Sequence, residues 1–411
     1  MQISDSLRGY LNYGAENNPG LKAAFNLWKA ELEKVAQVKS LPDPNFSFAY
    51  FIREVETKVG PQQMKVGLMQ KFPWFGKLKL RGDIYFERSE ALKENFERLK
   101  LDLFYKVKKL YYDYYYASRS IAIIKKNVAL LDAASEQIRT MYSTGRTSYS
   151  NLIRVQIELD KLKDRYKSLE DKLPSIKVAL NSVMNRPLEK EILVDKKVED
   201  IRFHLKARSL VQILKTTNPE LKILDHFALS REAGVKLARK NFLPDISIGA
   251  DVIVTGDSSV PGVTDSGKDP FLIKMSMNIP LRFKKINASI RDAKMRLDAV
   301  KYKKKEKENR LISALESTIF KFEDSGRIIN LYRDSLIPKA QQAFEVTKTA
   351  FSTGRSGFLD FIDTQRTLLD FELIKEKAKS SHFQNLALIE KIIGKDFKYL
   401  KREQLITLEM K

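Results

Sequence analysis

The chain lacks the residues on which much protein chemistry depends. Its 411 residues include no cysteine and only three histidines. Without thiols there are no disulfide bonds, thiol nucleophiles or thiolate metal sites. The histidines are scattered, and no nucleophile elbow or phosphate-binding loop is present. The sequence therefore predicts no enzyme, no cofactor and no metal site.

Long apolar runs are also missing. No stretch of about 18 apolar residues occurs, which excludes a transmembrane helix from the sequence prediction. Residues 1–5 have neither the basic start nor the apolar core of a signal peptide. We therefore expect the chain to be either cytosolic or a mature form whose leader has been removed.

Acidic residues are fewer than basic ones. The 74 Lys and Arg exceed the 52 Asp and Glu, which gives a formal net charge of +22. Such a balance suggests a polyanionic partner or an anionic membrane face, or it only keeps a large assembly soluble. Both signs are interspersed along the chain, as from Lys303 to Arg310. This pattern favours solvated helix faces, so no nucleic-acid partner is predicted.

Four sequence signatures recur in the same order in the two halves of the chain. They are Asn18-Pro19 with Asn218-Pro219, Leu41-Pro42-Asp43 with Leu243-Pro244-Asp245, Pro73 with Pro280, and Tyr142-Ser143-Thr144-Gly145-Arg146 with Phe351-Ser352-Thr353-Gly354-Arg355. The offsets are 200, 202, 207 and 209 residues, and they never reverse. Four collinear matches predict an internal duplication.

Each half is predicted to hold an opening helix, two strands of alternating polarity, and two long helices joined by a tight turn. The first half, residues 1–200, has strands at about 45–54 and 63–72 and long helices at about 77–141 and 147–185. The second half, residues 201–411, has strands at about 245–254 and 270–280 and long helices at about 284–351 and 356–394. Pro174 and Pro338 are expected to bend their helices.

The strands and helices together suggest a conduit. The strands have the length of tilted membrane strands, but four strands cannot close a barrel, and an open edge is not tolerated in lipid. Several chains must then share one barrel, and three would supply twelve strands. A helix of about 65 residues is about 100 Å long, roughly three times the apolar thickness of a bilayer. The sequence thus predicts a membrane pore with a long aqueous extension built from coiled-coil helices.

On these features the chain resembles the TolC-like outer-membrane efflux family from about Pro19 to Gly394. The resemblance implies a fold that is mainly α with a small β part. It also implies a homotrimer with a twelve-stranded transmembrane β-barrel among outer membrane lipids and an α-barrel in the periplasm. Residues 186–217 and 395–411 would form its equatorial region. The implied function is a passive channel that works with a periplasmic adaptor protein and an inner-membrane transporter.

The resemblance also assigns candidate sites. Asp360 and Asp363 match the aspartate pair that narrows the closed pore tip in this family. The hairpin turns at Gly145 and Arg146, and at Gly354 and Arg355, would contact the adaptor.

The segment from Phe72 to Lys77 is similar to the Phe-Pro-Trp-Pro-Gly-Lys stretch of the heavy-metal-efflux branch, with Phe75 in place of the second proline. Phe72, Trp74 and Phe75 are also predicted as an aromatic belt at the membrane interface.

Two other functions remain open at the level of the sequence. A soluble, basic coiled-coil scaffold would explain the long helices but not the four strands placed between them. A periplasmic adaptor would also have helical hairpins, but without this duplication.

Overall fold

The computed structural model describes residues 5–195, 204–353, 355, 357–397 and 406–407. The first half contains α1 (Asp5–Asn17), α2 (Pro19–Lys39), β1 (Asn45–Thr57), β2 (Gly60–Phe72), α3 (Lys77–Ser143) and α4 (Tyr149–Met184). The second half contains β3 (His204–Leu205), α5 (Ala207–Thr217), α6 (Pro219–Lys240), β4 (Ile246–Thr255), β5 (Phe271–Met277), α7 (Phe283–Leu331), a π-helical turn (Tyr332–Leu336), α8 (Ile337–Ser352), α9 (Phe358–Ile393) and β6 (Ile406–Thr407).

The opening helices begin as their Asn-Pro motifs predict. The side-chain oxygen of Asn18 accepts the backbone N–H of Leu21 at 3.0 Å, and that of Asn218 accepts the N–H of Glu220 at 2.8 Å. These bonds satisfy amides that the helix itself leaves unpaired. A proline follows each asparagine at the first helical position, where its missing N–H costs nothing.

The chain divides into two compact units, each drawing segments from both halves. The sheet unit comprises Ala24–Asn95 and Leu221–Glu306, and the helical unit comprises Met1–Ala23, Phe96–Glu220 and Lys307–Lys411. The predicted equatorial segments belong to the helical unit, and residues 196–203, 398–405 and 408–411 of them lie outside the described residues.

In the sheet unit, four antiparallel strands pair in the order β1-β2-β4-β5. Phe46 lies opposite Leu68 in the first pair, and Ile248 lies opposite Met275 in the last. Phe46 and Ile248 are 202 residues apart in the sequence, and Leu68 and Met275 are 207 residues apart. These are the offsets of the flanking sequence signatures, so the two strand pairs share one register.

Four helices of the sheet unit follow the same order as the strands. The Lys93 ammonium of α3 lies over the Trp28 ring of α2 at 5.9 Å. Glu87 of α3 contacts His226 of α6 at 2.8 Å. Asp225 of α6 then binds Lys304 of α7 at 2.5 Å. The helices are therefore neighbours in the order α2-α3-α6-α7. This order matches that of the strands to which they connect, β1-β2-β4-β5.

The helical unit contains a buried apolar cluster. Ile138, Val155 and Phe361, from α3, α4 and α9, belong to one buried cluster that also includes Phe344 of α8. A buried ion pair joins α3 to α9, since Lys108 Nζ lies 2.5 Å from Glu390 Oε2. Burial raises the pKa of the Glu390 carboxyl, although Lys108 opposes this change.

Two prolines predicted to bend helices have different surroundings. Pro174 lies inside the unbroken helix α4. Pro338 lies at the second residue of α8, directly after the π-helical turn. A proline ring clashes with the carbonyl four residues earlier in a regular α-helix. That carbonyl belongs to Asp334, which lies within the π turn.

No helix in the described part of the chain is both long and apolar enough to span a bilayer.

Candidate functional site

The first hairpin tip joins α3 to α4 through a helix-capping turn. Gly145 has a φ of 69°, in the left-handed region that favours glycine. The backbone N–H of Arg146 donates to the carbonyl of Met141 at 2.8 Å, which closes the turn. The Arg146 side chain is exposed. Beside it, the exposed rings of Tyr142 and Tyr149 contact each other with centroids 5.5 Å apart.

The second hairpin tip joins α8 to α9 and repeats this hydrogen bond. The N–H of Arg355 donates to the carbonyl of Ala350 at 2.8 Å, and its side chain is also exposed. Gly354, the predicted counterpart of Gly145, lies outside the described residues. Both arginines thus occupy the same position in equivalent turns.

Asp360 and Asp363 are both exposed at the start of α9. Asp360 lies in the first turn, where the helix dipole stabilises a negative charge. The Asp363 carboxylate lies 3.7 Å from the guanidinium of Arg366, which also binds Glu158 of α4 at 2.9 Å. Sequence reasoning missed this bridge between α9 and α4. The spacing of three residues indicates the pair of Asp363 with Arg366, but no local signal indicates the contact of Arg366 with Glu158.

A buried layer holds the helices below the second tip. Phe351 of α8 stacks on Phe361 of α9, with ring centroids 5.2 Å apart. Gln365, buried on α9, donates to the Asn127 side chain of α3 at 2.8 Å. These contacts determine which face of α9 is buried, and they leave Asp360 and Asp363 on the exposed face.

Over the regularly paired residues of the sheet, one face carries no charge. It presents seventeen side chains, all apolar except for one Gln: Phe46, Phe48, Tyr50, Met64, Val66, Leu68, Gln70, Phe72, Ile246, Ile248, Ala250, Val252, Val254, Phe271, Ile273, Met275 and Met277. Many are widely exposed, such as Ile273 at 78% and Phe48 at 60%. A soluble protein rarely leaves a patch of this kind in water.

The opposite face of the sheet is polar. Asp251 is buried there and binds the ammonium groups of Lys65 at 2.7 Å and Lys274 at 2.6 Å. A Cβ at Gly67 would lie 2.3 Å from an Asp251 oxygen, so the glycine makes room for this carboxylate. The sheet is therefore apolar on one side and charged on the other.

The helices meet the sheet at a network around Asp245, one residue before β4. Its carboxylate accepts hydrogen bonds from the Lys77 ammonium at 2.7 Å and from the Trp74 backbone N–H at 3.1 Å, and it contacts Lys71 at 3.2 Å. Burial would raise the pKa of Asp245, but these bonds outweigh it and lower the pKa below the usual range. This contact gives the Leu-Pro-Asp signature a structural role.

The predicted aromatic belt lies beside this network. Phe72 ends β2 and is 39% exposed, whereas Phe75 follows it at 82% exposed. The rings of Trp74 and Phe75 contact each other edge to face at 6.0 Å. The described residues include no group of His, Asp and Glu side chains that could hold a metal ion.

A family model described as outer membrane efflux protein matches residues 210–395, slightly less than half of the chain. The match confirms the resemblance predicted from the sequence over this segment. No curated protein sequence matches the chain significantly.

Solved structures match over almost the whole chain. VceC, an outer membrane protein from Vibrio cholerae, shares 13% identity, with 95% of this chain and 96% of that chain covered and a TM-score of 0.77. The MtrE outer membrane channel of Neisseria gonorrhoeae shares 16% identity, with 96% and 94% covered and a TM-score of 0.76. The CmeC outer membrane channel of Campylobacter jejuni shares 15% identity, with 95% and 86% covered and a TM-score of 0.76.

These matches confirm the predicted fold class, which is mainly α with a small β part. At such low identity they concern the fold alone. The assignment to the heavy-metal-efflux branch stays a prediction.

Proposed function

We propose that this chain is one protomer of an outer-membrane efflux channel. It acts as a passive conduit in a tripartite pump, between a periplasmic adaptor with its inner-membrane transporter and the exterior. It performs no chemistry of its own. The family match over residues 210–395 and the shared fold support this function.

The uncharged face of the sheet carries the proposal. Sixteen apolar side chains and one Gln suit contact with lipid, while the face around Asp251 suits a water-filled lumen. Within the described residues β1 and β5 pair on one side only. Edges of this kind are not tolerated in lipid, so neighbouring chains must pair with them. Three chains close a barrel of twelve strands.

The duplication predicts the register between neighbouring chains. Leu68 of β2 lies opposite Ala250 of β4 within one chain. Applying the offsets of 207 and 202 places Met275 opposite Phe48 of the neighbouring subunit. Both side chains belong to the uncharged face, as the alternation of a strand requires. The same rule places Lys284 near Asp43 of the neighbouring subunit, as Lys77 lies near Asp245.

Cysteine cross-linking tests this closure, because the chain has no cysteine of its own. In the variant Met275→Cys/Phe48→Cys, oxidation should produce a covalent trimer on a denaturing gel. The matched control is Ile273→Cys/Phe46→Cys, which is four residues out of register. Its thiols would be roughly 13 Å apart, beyond the reach of a disulfide. Cross-linking of the control alone, or products that stop at a dimer, would refute the proposed closure.

The hairpin tips supply the remaining roles in this proposal. Asp360 and Asp363 from three chains would surround the pore axis with six carboxylates and favour cations. Arg146 and Arg355, exposed in equivalent turns, would contact the adaptor.

Phe72, Trp74 and Phe75 would lie at the membrane interface. The two halves, residues 1–200 and 201–411, would form two structural repeats.

The function itself is tested by fractionation and conductance. The protein should be found in the outer membrane fraction, require detergent for extraction, run as a trimer and conduct ions across a planar bilayer. A monomer that stays in solution without detergent would refute the proposal.

A further inference from the structure

Basic residues gather at the end of the sheet where the helices begin. This end comprises residues 39–45, 71–83, 236–246 and 278–286, which we call the basic girdle. It has eleven Lys and Arg against three Asp, a balance of +8. The basic members are Lys39, Lys71, Lys77, Lys79, Arg81, Lys236, Arg239, Lys240, Arg282, Lys284 and Lys285. The girdle thus accounts for more than a third of the net charge of +22.

The opposite end of the sheet has the reverse sign. The strand ends and connections there, residues 53–59 and 255–270, contain three basic and five acidic residues, a balance of −2. All eight charged side chains there are exposed. The excess of positive charge is therefore specific to the end that carries the helices, and it is not a property of the whole sheet unit.

Several girdle cations face solvent without a counter-ion. Lys79, Arg81, Lys236 and Arg239 are exposed, and none has an ion-pair partner within the described part of the chain. The girdle also carries widely exposed apolar side chains, Phe75 at 82% and Leu281 at 71%. Unpaired cations beside exposed apolar groups are typical of a surface that meets the headgroup layer of a membrane.

We propose that the basic girdle binds the phosphate groups of anionic phospholipids in the leaflet that faces the helices. The inference rests on the proposed function, which places the uncharged face of the sheet in lipid. The girdle continues directly from that face, because Phe72, Ile246 and Met277 lie opposite one another at its edge. An anionic headgroup there is attracted to several cations at once, and neighbouring acyl chains cover the apolar side chains.

Phospholipid fits better than the two other sources of phosphate. Lipopolysaccharide lies in the outer leaflet, which would meet the end of the sheet with a balance of −2. A free phosphate ion would need a closed set of donors, whereas the girdle spreads its cations over four segments of the chain. The difference in charge between the two ends also orients the sheet in the membrane. The girdle, with a balance of +8, meets the phospholipid leaflet, and the end with a balance of −2 meets the outer leaflet.

Tryptophan fluorescence gives a local test. The chain has two tryptophans, and Trp74 lies within the girdle. The indole N–H of Trp28 has no hydrogen-bond partner among the described residues, so Trp28→Phe removes the second fluorophore without breaking a hydrogen bond and keeps an aromatic ring beneath Lys93. In this background, quenching of Trp74 is measured in vesicles that contain brominated phosphatidylglycerol or brominated phosphatidylcholine.

We expect brominated phosphatidylglycerol to quench the fluorescence of Trp74 at lower mole fractions than brominated phosphatidylcholine does. The girdle variant Lys79→Gln/Arg81→Gln/Lys236→Gln/Arg239→Gln should reduce this preference by about tenfold or more. The matched control changes four exposed lysines elsewhere and should keep the preference: Lys125→Gln, Lys172→Gln, Lys301→Gln and Lys303→Gln. Thermal unfolding of both variants checks that they fold alike.

The possible outcomes separate the two proposals. Equal quenching by both lipids, or equal loss in the girdle and control variants, would overturn the inference but leave the sheet in the membrane. No quenching by either lipid would overturn the proposed function as well. Displacement of the bound phosphatidylglycerol by inorganic phosphate, or a stronger effect of lipopolysaccharide, would assign the surface to another ligand and also overturn the inference.

Discussion

The two halves of the chain share their scaffold and differ in their charged residues. The two strand pairs have one register under offsets of 202 and 207, and both hairpin turns close through an arginine N–H. At the tips, by contrast, Asp360, Asp363 and Arg366 correspond to Asn151, Arg154 and Ile157 under the offset of 209. Packing is therefore repeated, whereas the negative charge that would control a pore is present in one half only.

The junctions between helix and strand show a second difference. Asp245 is held by Lys77 and Trp74, whereas its counterpart Asp43 is exposed and has no hydrogen bond or ion pair within the described residues. The difference has a simple origin. Asp245 meets the neighbouring strand pair of its own chain, and Asp43 lies at the edge of the sheet, where its neighbour would come from another subunit.

The largest expected effect comes from Asp245→Asn. The change leaves the Lys77 ammonium buried without a counter-ion, which should lower the free energy of unfolding by about 3 kcal/mol. Asp43→Asn should leave the unfolding of the chain nearly unchanged and should instead lower the temperature at which trimers dissociate. Thermal unfolding and trimer dissociation in detergent measure the two effects. Equal unfolding curves for the two variants would contradict the comparison.

The same comparison predicts a pH dependence. The pKa of Asp245 is lowered in the fold, so its stabilising contribution is fully present above the unfolded value of about 3.9. The contribution is lost as the pH falls through the lower, folded value. In Asp245→Asn this part of the acid-induced loss of stability should disappear. It should persist in Asp43→Asn.

Ion selectivity should depend on the second tip alone. The variant Asp360→Asn/Asp363→Asn removes six carboxylates from a trimer and should lower the preference for cations over anions roughly fivefold. This corresponds to about 1 kcal/mol of electrostatic free energy. Reversal potentials in a salt gradient across a planar bilayer measure the change. The control Arg154→Gln at the first tip should shift selectivity far less, and an equal shift would show that both tips line the constriction.

The two hairpin turns should respond alike to a change in backbone freedom. Gly145→Ala forces a side chain into the left-handed region at a cost of about 1 kcal/mol, although its Cβ would meet open space. Gly354→Ala should have the same cost if the turns are equivalent. Chemical denaturation of each variant tests this. A clearly smaller effect at Gly354 would show that the second turn has another conformation.

The smallest effect is expected for Arg366→Gln. Its ion pairs with Asp363 and Glu158 are half exposed, so their loss should cost about 0.5 kcal/mol. One of the ion pairs that join α9 to α4 is lost, however, so single-channel conductance should rise. The similarly exposed pair of Arg165 with Asp370 also joins α4 to α9, but further along both helices from the hairpin tip, and it provides the control variant Arg165→Gln. Higher conductance in both variants would remove any special role of Arg366.

Local signals predicted most of the fold. The Asn-Pro and Leu-Pro-Asp motifs bound the opening helices, and alternating polarity located all four strands. The observed and predicted strands differ at their ends. β1 extends to Thr57, beyond the predicted end at 54, because the strand continues past an irregularity in its register after Tyr50. β5 ends at Met277, before the predicted end at 280.

The sites were less accessible from sequence because they depend on distant partners. Asp245 was part of a recognised signature, but Lys77 lies 168 residues away from it. Arg366 was three residues from a predicted aspartate, yet its contact with Glu158 requires the packing of α9 on α4. The exposure of Asp360 and Asp363 follows from the burial of Phe361 and Gln365 on the other face of the helix.

The π-helical turn at Tyr332–Leu336 lies where the sequence offset between matching buried positions of the two halves changes. Before it, buried positions match at an offset of 208, as Leu103 does with Leu311. After it they match at 209, as Leu131 does with Ala340. A π turn holds one more residue than an α turn. A single-residue insertion in the second half would explain this change of offset, and the buried faces keep their orientation on either side of the turn.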